Sequence, residues 1–282
     1  MTDTEKRGLA NHGTTDRDQL ARHADELRQR GITTSTIGIG ADFDERTLTA
    51  ISTAGGGHFY FVETAVQIPD CLTGEIGEAL EIVARDAAVM VRTDAGVDVT
   101  TLNRFPVRRE SDCLVSLRLG DLVSRQDVSV VLQLKFPAGA EGKTSRAIFG
   151  VTDARGALNE QDSDPIWTFA DHRANDNQSR NVVVDRAVAK LYAAQAKAEA
   201  LELNRAARFE EAQARLDAAA GRIDQYADQD GELLATIDEL RESHVEYSQP
   251  MMPLRRKAEH FASLNVAASR GPLGRARRRP VS

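Results

Sequence analysis

With 282 residues and 41% hydrophobic side chains, the chain is long enough for two or three folded units with buried cores. No apolar run approaches the roughly 20 residues that cross a bilayer, and the polar N-terminus has no signal-peptide core. These features exclude a membrane-spanning protein and predict a cytoplasmic one. The net charge of −7 disfavours nucleic acid as the general partner of the chain.

The first third of the chain alternates helices with short apolar strands. A capping pattern at Thr15 and Asp18 begins a helix that Gly31 ends. Residues 31–40 are expected to form a buried parallel strand, and after a second helix residues 58–62 form an aromatic strand. A third helix is predicted from the helical spacing of Ile68, Leu72, Ile76, Leu80 and Val83. This alternation is typical of a parallel sheet with helices on both faces, although such sheets usually have about five strands.

Three segments of this region resemble the C-terminal half of a von Willebrand factor A domain of bacterial type. They are residues 8–16 (GLANHGTTD), 35–40 (STIGIG) and 54–61 (AGGGHFYF). The resemblance covers roughly the first third of the chain and implies a partial doubly wound parallel sheet. Bacterial relatives often carry a β-sandwich directly after this domain, and the order of the segments here resembles that arrangement.

The resemblance also implies a divalent-cation site, which the residues present do not reproduce. The site of such domains uses an Asp-x-Ser-x-Ser loop, a Thr and an Asp directly before a Gly. Here Arg7 precedes the matching Gly8, and residues 1–6 hold no such loop. A cation at a ligand position opposes metal binding, so we predict no metal site and no cofactor. Asp3 and Asp16 are interpreted as a solvated tail residue and a helix-start charge. Magnesium or manganese is expected only if the natural N-terminus is longer, which would make this chain a fragment of a metal-dependent binding protein.

Residues 85–180 are predicted to form a β-sandwich. Apolar and polar residues alternate in short runs that turn-forming Gly and Asp separate, as in antiparallel strands. Strands are expected at residues 88–91, 97–99, 114–117, 128–136 and 145–151. Trp167, the only tryptophan, is interpreted as a core anchor. Cys71 and Cys113 lie in different predicted units without metal-type spacing, which favours free thiols and leaves a bridge between them open.

Residues 181–268 are predicted to be helical. No Gly or Pro occurs between Asp185 and Gly221, and Ala, Glu, Arg and Leu predominate there. A heptad-like seam is formed by Phe209, Ala212, Leu216, Ala219, Ile223 and Tyr226. Residues 203–212 resemble the turn of a tetratricopeptide hairpin, but only one such unit is visible and an array needs about three. An antiparallel hairpin, packed on its own chain or on a second copy, is therefore favoured, with one long helix as the alternative.

The segment 269–282 is rich in Gly, Pro and Arg, and a disordered basic tail is predicted there. Four arginines are candidate contacts for a polyanion: Arg275, Arg277, Arg278 and Arg279. A solubilising terminus is favoured over this function, because the chain is acidic and no aromatic residues alternate with the arginines.

No catalytic motif is found. The six histidines are scattered, without a His-Glu-x-x-His zinc pattern or a Gly-x-Ser-x-Gly nucleophile elbow. The pair Gly38 and Gly40 lacks the third glycine of a phosphate-binding loop, since Phe43 stands at that position. The sequence therefore predicts neither catalytic nor cofactor-binding residues.

The sequence as a whole predicts a non-enzymatic protein-interaction module in four parts. These are a partial von Willebrand A-like α/β unit (1–84), a β-sandwich (85–180), a helical hairpin or bundle (181–268) and a basic tail (269–282). The partner is expected to be a protein, and the helical region is the candidate surface for a homo-oligomer. Polyanion binding by the tail and a truncated metal-dependent binder are the alternatives.

Overall fold

The structure is a computed structural model that describes residues 14–156, 158 and 163–279. Its helices are α1 (Arg17–Gln29), α2 (Glu45–Ala54), α3 (Ile68–Leu80), α4 (His172–Asp176), α5 (Val182–Arg205), α6 (Phe209–Ala227), α7 (Gly231–Tyr247) and α8 (Pro253–Ala267). Its strands are β1 (Thr34–Ile39), β2 (Gly56–Val62), β3 (Ile82–Thr93), β4 (Asp98–Thr101), β5 (Val107–Ser111), β6 (Leu114–Val123), β7 (Leu132–Lys135), β8 (Thr144–Thr152) and β9 (Ile166–Thr168). No helix in these ranges combines the length and apolar character that crossing a bilayer requires.

The first unit contains the parallel pair that the sequence predicts. β1 and β2 lie side by side, with Ile37 opposite Tyr60. α1 ends before Gly31, whose φ of +82° gives the left-handed turn expected of a glycine. The capping residue of α1 is Asp16 rather than Thr15, because the Asp16 carboxylate accepts the Gln19 N–H at 2.8 Å.

The core of this unit is shared with the C-terminal helices. Phe59 and Tyr60 of β2 are 3% and 2% exposed and form one cluster with Phe261 of α8. The rings of Phe59 and Phe261 meet edge to face, 6.0 Å apart. Residues that lie about 200 positions apart therefore bury each other, and the α/β unit does not close its core alone.

The middle of the chain forms antiparallel sheets. Five strands lie in the order β5-β6-β3-β8-β9, and β4 pairs separately with β7. The apolar side chains between them form one cluster that includes Val91, Val99, Val115, Leu117 and Leu134.

Two sequence predictions about the middle region need correction. The third helix ends at Leu80, and Val83 belongs to β3, because residues from Ile82 onward pair with β6. The strand predicted at 128–136 is limited to Leu132–Lys135. Trp167 is only partly buried and packs on Phe136 at 5.2 Å between ring centroids.

The region 181–268, predicted as a helical hairpin or bundle, contains four helices, α5 to α8. α5 and α6 are separated at residues 206–208, so the alternative of one long helix is wrong. The seam residues Leu216 and Ile223 are fully buried in this unit's core. Asn204 fixes the far end of the unit: its amide donates to Tyr247 O at 3.2 Å and accepts the N–H of Met251 at 3.2 Å.

The two cysteines are free. Cys71 and Cys113 are both partly buried and form no disulfide. Burial raises the pKa of the Cys71 thiol, which keeps it in the less reactive protonated form.

Candidate functional site

The loop that follows β1 is fixed by a buried ion pair. Asp44 caps α2, and its carboxylate accepts a backbone N–H of the first helical turn at 3.1 Å. The next residue, Glu45, is 3% exposed and pairs with the ammonium group of Lys257 from α8. Lys257 also donates to the carbonyl of Phe43 and lies 4.4 Å above the centre of that ring. Burial and neighbouring arginines lower the pKa of Lys257 to about 8.

A second layer of charges surrounds this pair. Arg205, at the C-terminus of α5, contacts the same Glu45 carboxylate, and its Nη1 lies 3.4 Å from Glu202 Oε1. Glu202 pairs in turn with Arg46 of α2. Burial lowers the pKa of Arg205 to about 10. Charged side chains thus connect the start of α2 to both α5 and α8.

The carboxylates at this end of the sheet do not fit a divalent-cation site. Asp44 caps a helix and Glu45 is neutralised by two cations, so their oxygens are already engaged. In the described part of the chain, no group of three or more His, Cys, Asp or Glu side chains could hold a metal ion. Asp3, Arg7 and Gly8 lie outside that part, and the lack of a metal site stays a prediction.

Within residues 14–156, 158 and 163–279, one edge of β1 is unpaired. Its partner is β2, and no other described strand joins this sheet. The N–H groups of Thr34 and Gly40 point towards the β2 side, 3.1 and 2.9 Å from their acceptors. Because backbone direction alternates along a strand, those of Ser35, Ile37 and Ile39 point away from β2. No proline or charged residue interrupts β1, so this edge lacks the usual protection against pairing.

α3 packs on one face of the β1-β2 pair through a carboxylate. Glu75 accepts hydrogen bonds from the Ser35 hydroxyl of β1 at 3.0 Å and from the Tyr60 hydroxyl of β2 at 2.6 Å. Burial, followed by the Glu75 hydrogen bond and charge, raises the pKa of Tyr60, so the phenol stays protonated and keeps donating. The carboxylate therefore fixes α3 on the face of both strands.

The outer face of α3 is apolar and exposed. Leu72, Ile76 and Leu80 follow one another at four-residue spacing and are 48%, 61% and 82% exposed. We call these three residues the α3 stripe. Ile39, at the end of β1, is also 46% exposed. The sequence shows the spacing of the stripe, but a spacing of this kind normally indicates a core-facing side, and its exposure could not be predicted from it.

The C-terminal segment is ordered over residues 269–279, which corrects the predicted disorder for that range. Arg270 is 8% exposed, and its Nη2 donates to Glu78 Oε2 of α3 at 2.6 Å. The other oxygen of the same carboxylate accepts the Ala276 N–H at 2.7 Å. The prediction failed because composition alone does not show that α3 offers a carboxylate to this segment.

Three of the four candidate polyanion contacts have side-chain partners within the chain, and Arg277 is held through its backbone carbonyl. Arg275 donates to the Asp70 carbonyl at 3.0 Å, and Arg278 pairs with Glu81. The other two lie in the same segment: Arg279 is 3.7 Å from the Asp127 carboxylate, and the Arg277 carbonyl accepts the Asp127 N–H at 2.8 Å. Polyanion binding by these arginines stays a prediction, and any polyanion would compete with these contacts.

Replacing Glu78 by glutamine is expected to release the C-terminal segment. The amide cannot accept both hydrogen bonds and carries no charge for Arg270, so trypsin should cleave at the arginines beyond residue 270 about tenfold faster. Limited proteolysis followed by mass spectrometry measures this rate. Glu63→Gln changes an exposed acid elsewhere and is the matched control. Trypsin should cleave this variant at the same rate as the unchanged protein. Equal rates for Glu78→Gln and the unchanged protein would contradict the assigned role of Glu78.

Two of the scattered histidines line one cleft. His58 of β2 and His260 of α8 line the same cleft, and His260 lies 6.0 Å from Phe59 between ring centroids. The His260 Nε2 lies 3.1 Å from the Thr49 hydroxyl. Burial lowers the pKa of His58 to about 3 and that of His260 to about 4, with nearby cations adding to both shifts. Both rings are neutral at physiological pH, and nothing in the sequence spacing predicts that they line the same cleft.

Comparison with known proteins identifies the fold. No protein-family model matches the sequence, and no curated protein matches it. The structure is similar to that of a von Willebrand factor type A protein from Catenulispora acidiphila, with a TM-score of 0.56 and 15% identity. That alignment covers 87% of this chain and 64% of the other, so this chain spans less than two thirds of its length. The likeness confirms the resemblance at the level of the fold: the chain has a von Willebrand A-like α/β fold.

Two further solved structures match with lower scores. The ArnB paralog VWA2 from Sulfolobus acidocaldarius has a TM-score of 0.41 at 14% identity, covering 82% of this chain and 54% of that one. The human COPII-coat protein Sec24c has a TM-score of 0.40 at 12% identity, covering 94% and 34%.

Proposed function

We propose that this chain is a non-enzymatic protein-interaction module that binds an extended segment of a partner protein along the open edge of β1. A single observation carries the proposal, namely that no other strand in the described ranges pairs with the outer edge of β1. The exposed α3 stripe belongs to the helix that Glu75 joins to the Ser35 side chain of β1. The von Willebrand A-like fold supports an interaction role. A metal-free mode of binding, the absence of catalysis and a cytoplasmic location are parts of the same proposal.

The backbone of β1 supplies the affinity. Ser35, Ile37 and Ile39 offer a row of N–H and C=O groups on the side away from β2. An added strand satisfies these groups, and each hydrogen bond contributes roughly 0.5–1.5 kcal/mol net. A pair of strands is marginal by itself, so a third strand also stabilises the sheet.

The α3 stripe supplies the selectivity. α3 is fixed next to β1 because Glu75 contacts Ser35, and Ile76 is the residue that follows Glu75. Side chains of an added strand alternate between the two faces of the sheet, so every second residue of the partner would lie on the α3 side. The occupant we assign is therefore an extended segment with apolar residues at alternate positions, which would cover Ile39 and the stripe.

A peptide-display selection tests this assignment. Random 12-residue peptides are selected against the full chain, and the enriched peptides are titrated calorimetrically. We expect enriched peptides with alternating apolar residues, whose affinity falls at least tenfold in Ile39→Lys and Ile76→Asp. Both substituted side chains are exposed, so these variants should fold. Val245→Lys and Val245→Asp, at a 69% exposed position on α7, are the matched controls and should bind normally.

Either of two results would overturn the proposal. One is enrichment of peptides that bind Ile39→Lys and Ile76→Asp as tightly as the unchanged chain. The other is concentration-dependent self-association that Ile39→Lys abolishes, since this would assign the edge to a second copy. Self-association that persists in Ile39→Lys would fit the predicted oligomer through residues 181–268. Such an oligomer would leave the β1 edge free, which would support its assignment to a partner protein.

A further inference from the structure

A cleft of about 790 Å³ lies where the three units meet. We call it the junction cleft. It is lined by α1, α2 and β2 of the first unit, by β6 of the middle unit and by α5 and α8 of the last unit. Its volume is within the range of sites for small organic molecules, and sites of that kind commonly lie between domains.

The charge of the junction cleft is opposite to that of the whole chain. Three carboxylates line it, together with six arginines: Arg17, Arg28, Arg46, Arg104, Arg118 and Arg270. The full chain has a net charge of −7, so this local excess of cations is not a consequence of composition. A cation-lined cleft with apolar walls concentrates anions.

Intramolecular acids leave part of this charge unsatisfied. Arg28 and Arg118 approach the same oxygen of Asp86, which Arg28 contacts directly and from which Arg118 Nε is 3.9 Å away. One carboxylate therefore serves two guanidinium groups. Arg104 makes no side-chain hydrogen bond or ion pair with any residue in the described ranges. Its charge nevertheless contributes to lowering the pKa values of Glu199 and His260.

The position of Arg104 is nevertheless fixed. Its backbone N–H donates to the Ala267 carbonyl at the end of α8, at 3.1 Å. The preceding residue, Asn103, is 6% exposed and donates to the same carbonyl at 3.2 Å and to the Ser129 carbonyl at 3.1 Å. A guanidinium group that lacks a partner and is attached to a fixed backbone is preorganised to bind an anionic ligand.

The remaining wall of the cleft is apolar or neutral. Phe105 and Leu264 contribute apolar surface. The His58 and His260 rings stay uncharged at neutral pH, because burial and the surrounding cations lower their pKa values. Each neutral ring has one N–H that can donate to a carbonyl or hydroxyl oxygen and one nitrogen that can accept from a hydroxyl group. The cleft therefore combines cations, neutral polar groups and apolar surface.

We propose that the junction cleft binds a small organic anion with two or more negative charges and an apolar portion, of which a nucleoside diphosphate is the fitting class. The charged end lies between Arg104 and Arg118, and the apolar portion lies against Phe105 and Leu264. This site is separate from the β1 edge and does not depend on the proposed function.

Isothermal titration of the full chain with ADP, pyrophosphate and citrate tests the site. We expect ADP to bind in the micromolar range, pyrophosphate more weakly because it lacks the apolar portion, and citrate least. Arg104→Gln and Arg118→Gln should each weaken ADP binding about tenfold, as for a lost charge-assisted hydrogen bond. Arg173→Gln, an equal change at an exposed arginine of α4 outside the cleft, should bind normally.

The controls separate this site from the peptide site. Both arginine substitutions are at exposed positions, so loss of folding is not expected, and circular dichroism checks it. Ile39→Lys should retain ADP binding, which distinguishes failure here from failure at the β1 edge. Absence of ADP binding at millimolar concentration, or equal losses in Arg104→Gln and Arg173→Gln, would overturn the proposal. Tighter binding of citrate than of ADP would also overturn it, in favour of a polycarboxylate.

Discussion

Replacing Glu45 by glutamine is expected to lower the free energy of unfolding by about 3–5 kcal/mol, the usual cost of leaving a buried charge without its partner. Glu45 is 3% exposed and the side chain of Lys257 is 4% exposed, so water cannot replace the lost carboxylate. Arg205, with 15% of its side chain exposed, loses the same partner. The substitution leaves two cations next to each other, and α8 should detach from the start of α2.

Urea denaturation measures this loss, and a second substitution identifies its cause. Lys257→Met in the Glu45→Gln background removes one of the two unpaired cations and should recover at least about 1 kcal/mol. Glu239→Gln is the matched control, because Glu239 pairs with Lys197 at the surface with 66% of its side chain exposed. That pair should contribute less than about 1 kcal/mol. Similar losses for Glu45→Gln and Glu239→Gln would contradict the structural role assigned to the buried pair.

The same ion pair shows why the sequence predicts the local elements of this fold better than its contacts. Gly31 and the apolar run of β1 determine a helix end and a strand through local rules, and both are found where they are expected. The predicted burial of this strand is wrong, because only Gly38 of β1 is buried. Glu45 and Lys257 are separated by 212 positions, and neither lies in a recognisable pattern. Charged residues are usually solvated, so nothing in the sequence distinguishes these two from the 77 other charged residues.

The exposure of the α3 stripe and the order of the C-terminal segment could not be predicted for a related reason. Four-residue spacing of Leu72, Ile76 and Leu80 indicates one helix face but does not say whether another element covers it. The arginine-rich composition of residues 269–279 predicts disorder when acids elsewhere in the chain are ignored. Glu78, which precedes Arg270 by 192 positions, accepts the hydrogen bonds that hold this segment in place. The junction cleft could not be predicted either, since its arginines come from the first unit, the middle unit and the C-terminal segment.

Acidification from pH 7 to about pH 4.5 is expected to destabilise the chain through His58 and His260. Their pKa values in the folded state are about 3 and about 4, whereas the unfolded value is 6.5. Below pH 6.5 the unfolded chain therefore binds protons that the folded chain cannot, and stability falls as the pH decreases. The loss ends only when the pH passes the folded pKa values. Each histidine should contribute about 2 kcal/mol over this interval.

Substitution by glutamine isolates this contribution from that of the carboxylates, which also titrate in acid. His260→Gln can keep the contact with the Thr49 hydroxyl and cannot bind a proton, so its unfolding free energy should fall less steeply between pH 6.5 and 4.5. The difference in slope from the unchanged chain, measured by urea denaturation at each pH, gives the contribution of His260 alone. His23→Gln, at an exposed position of α1, serves as the control and should leave the slope unaltered. Parallel slopes for His260→Gln and the unchanged chain would mean that His260 gains its proton equally in both states, which contradicts its burial among cations in the folded chain.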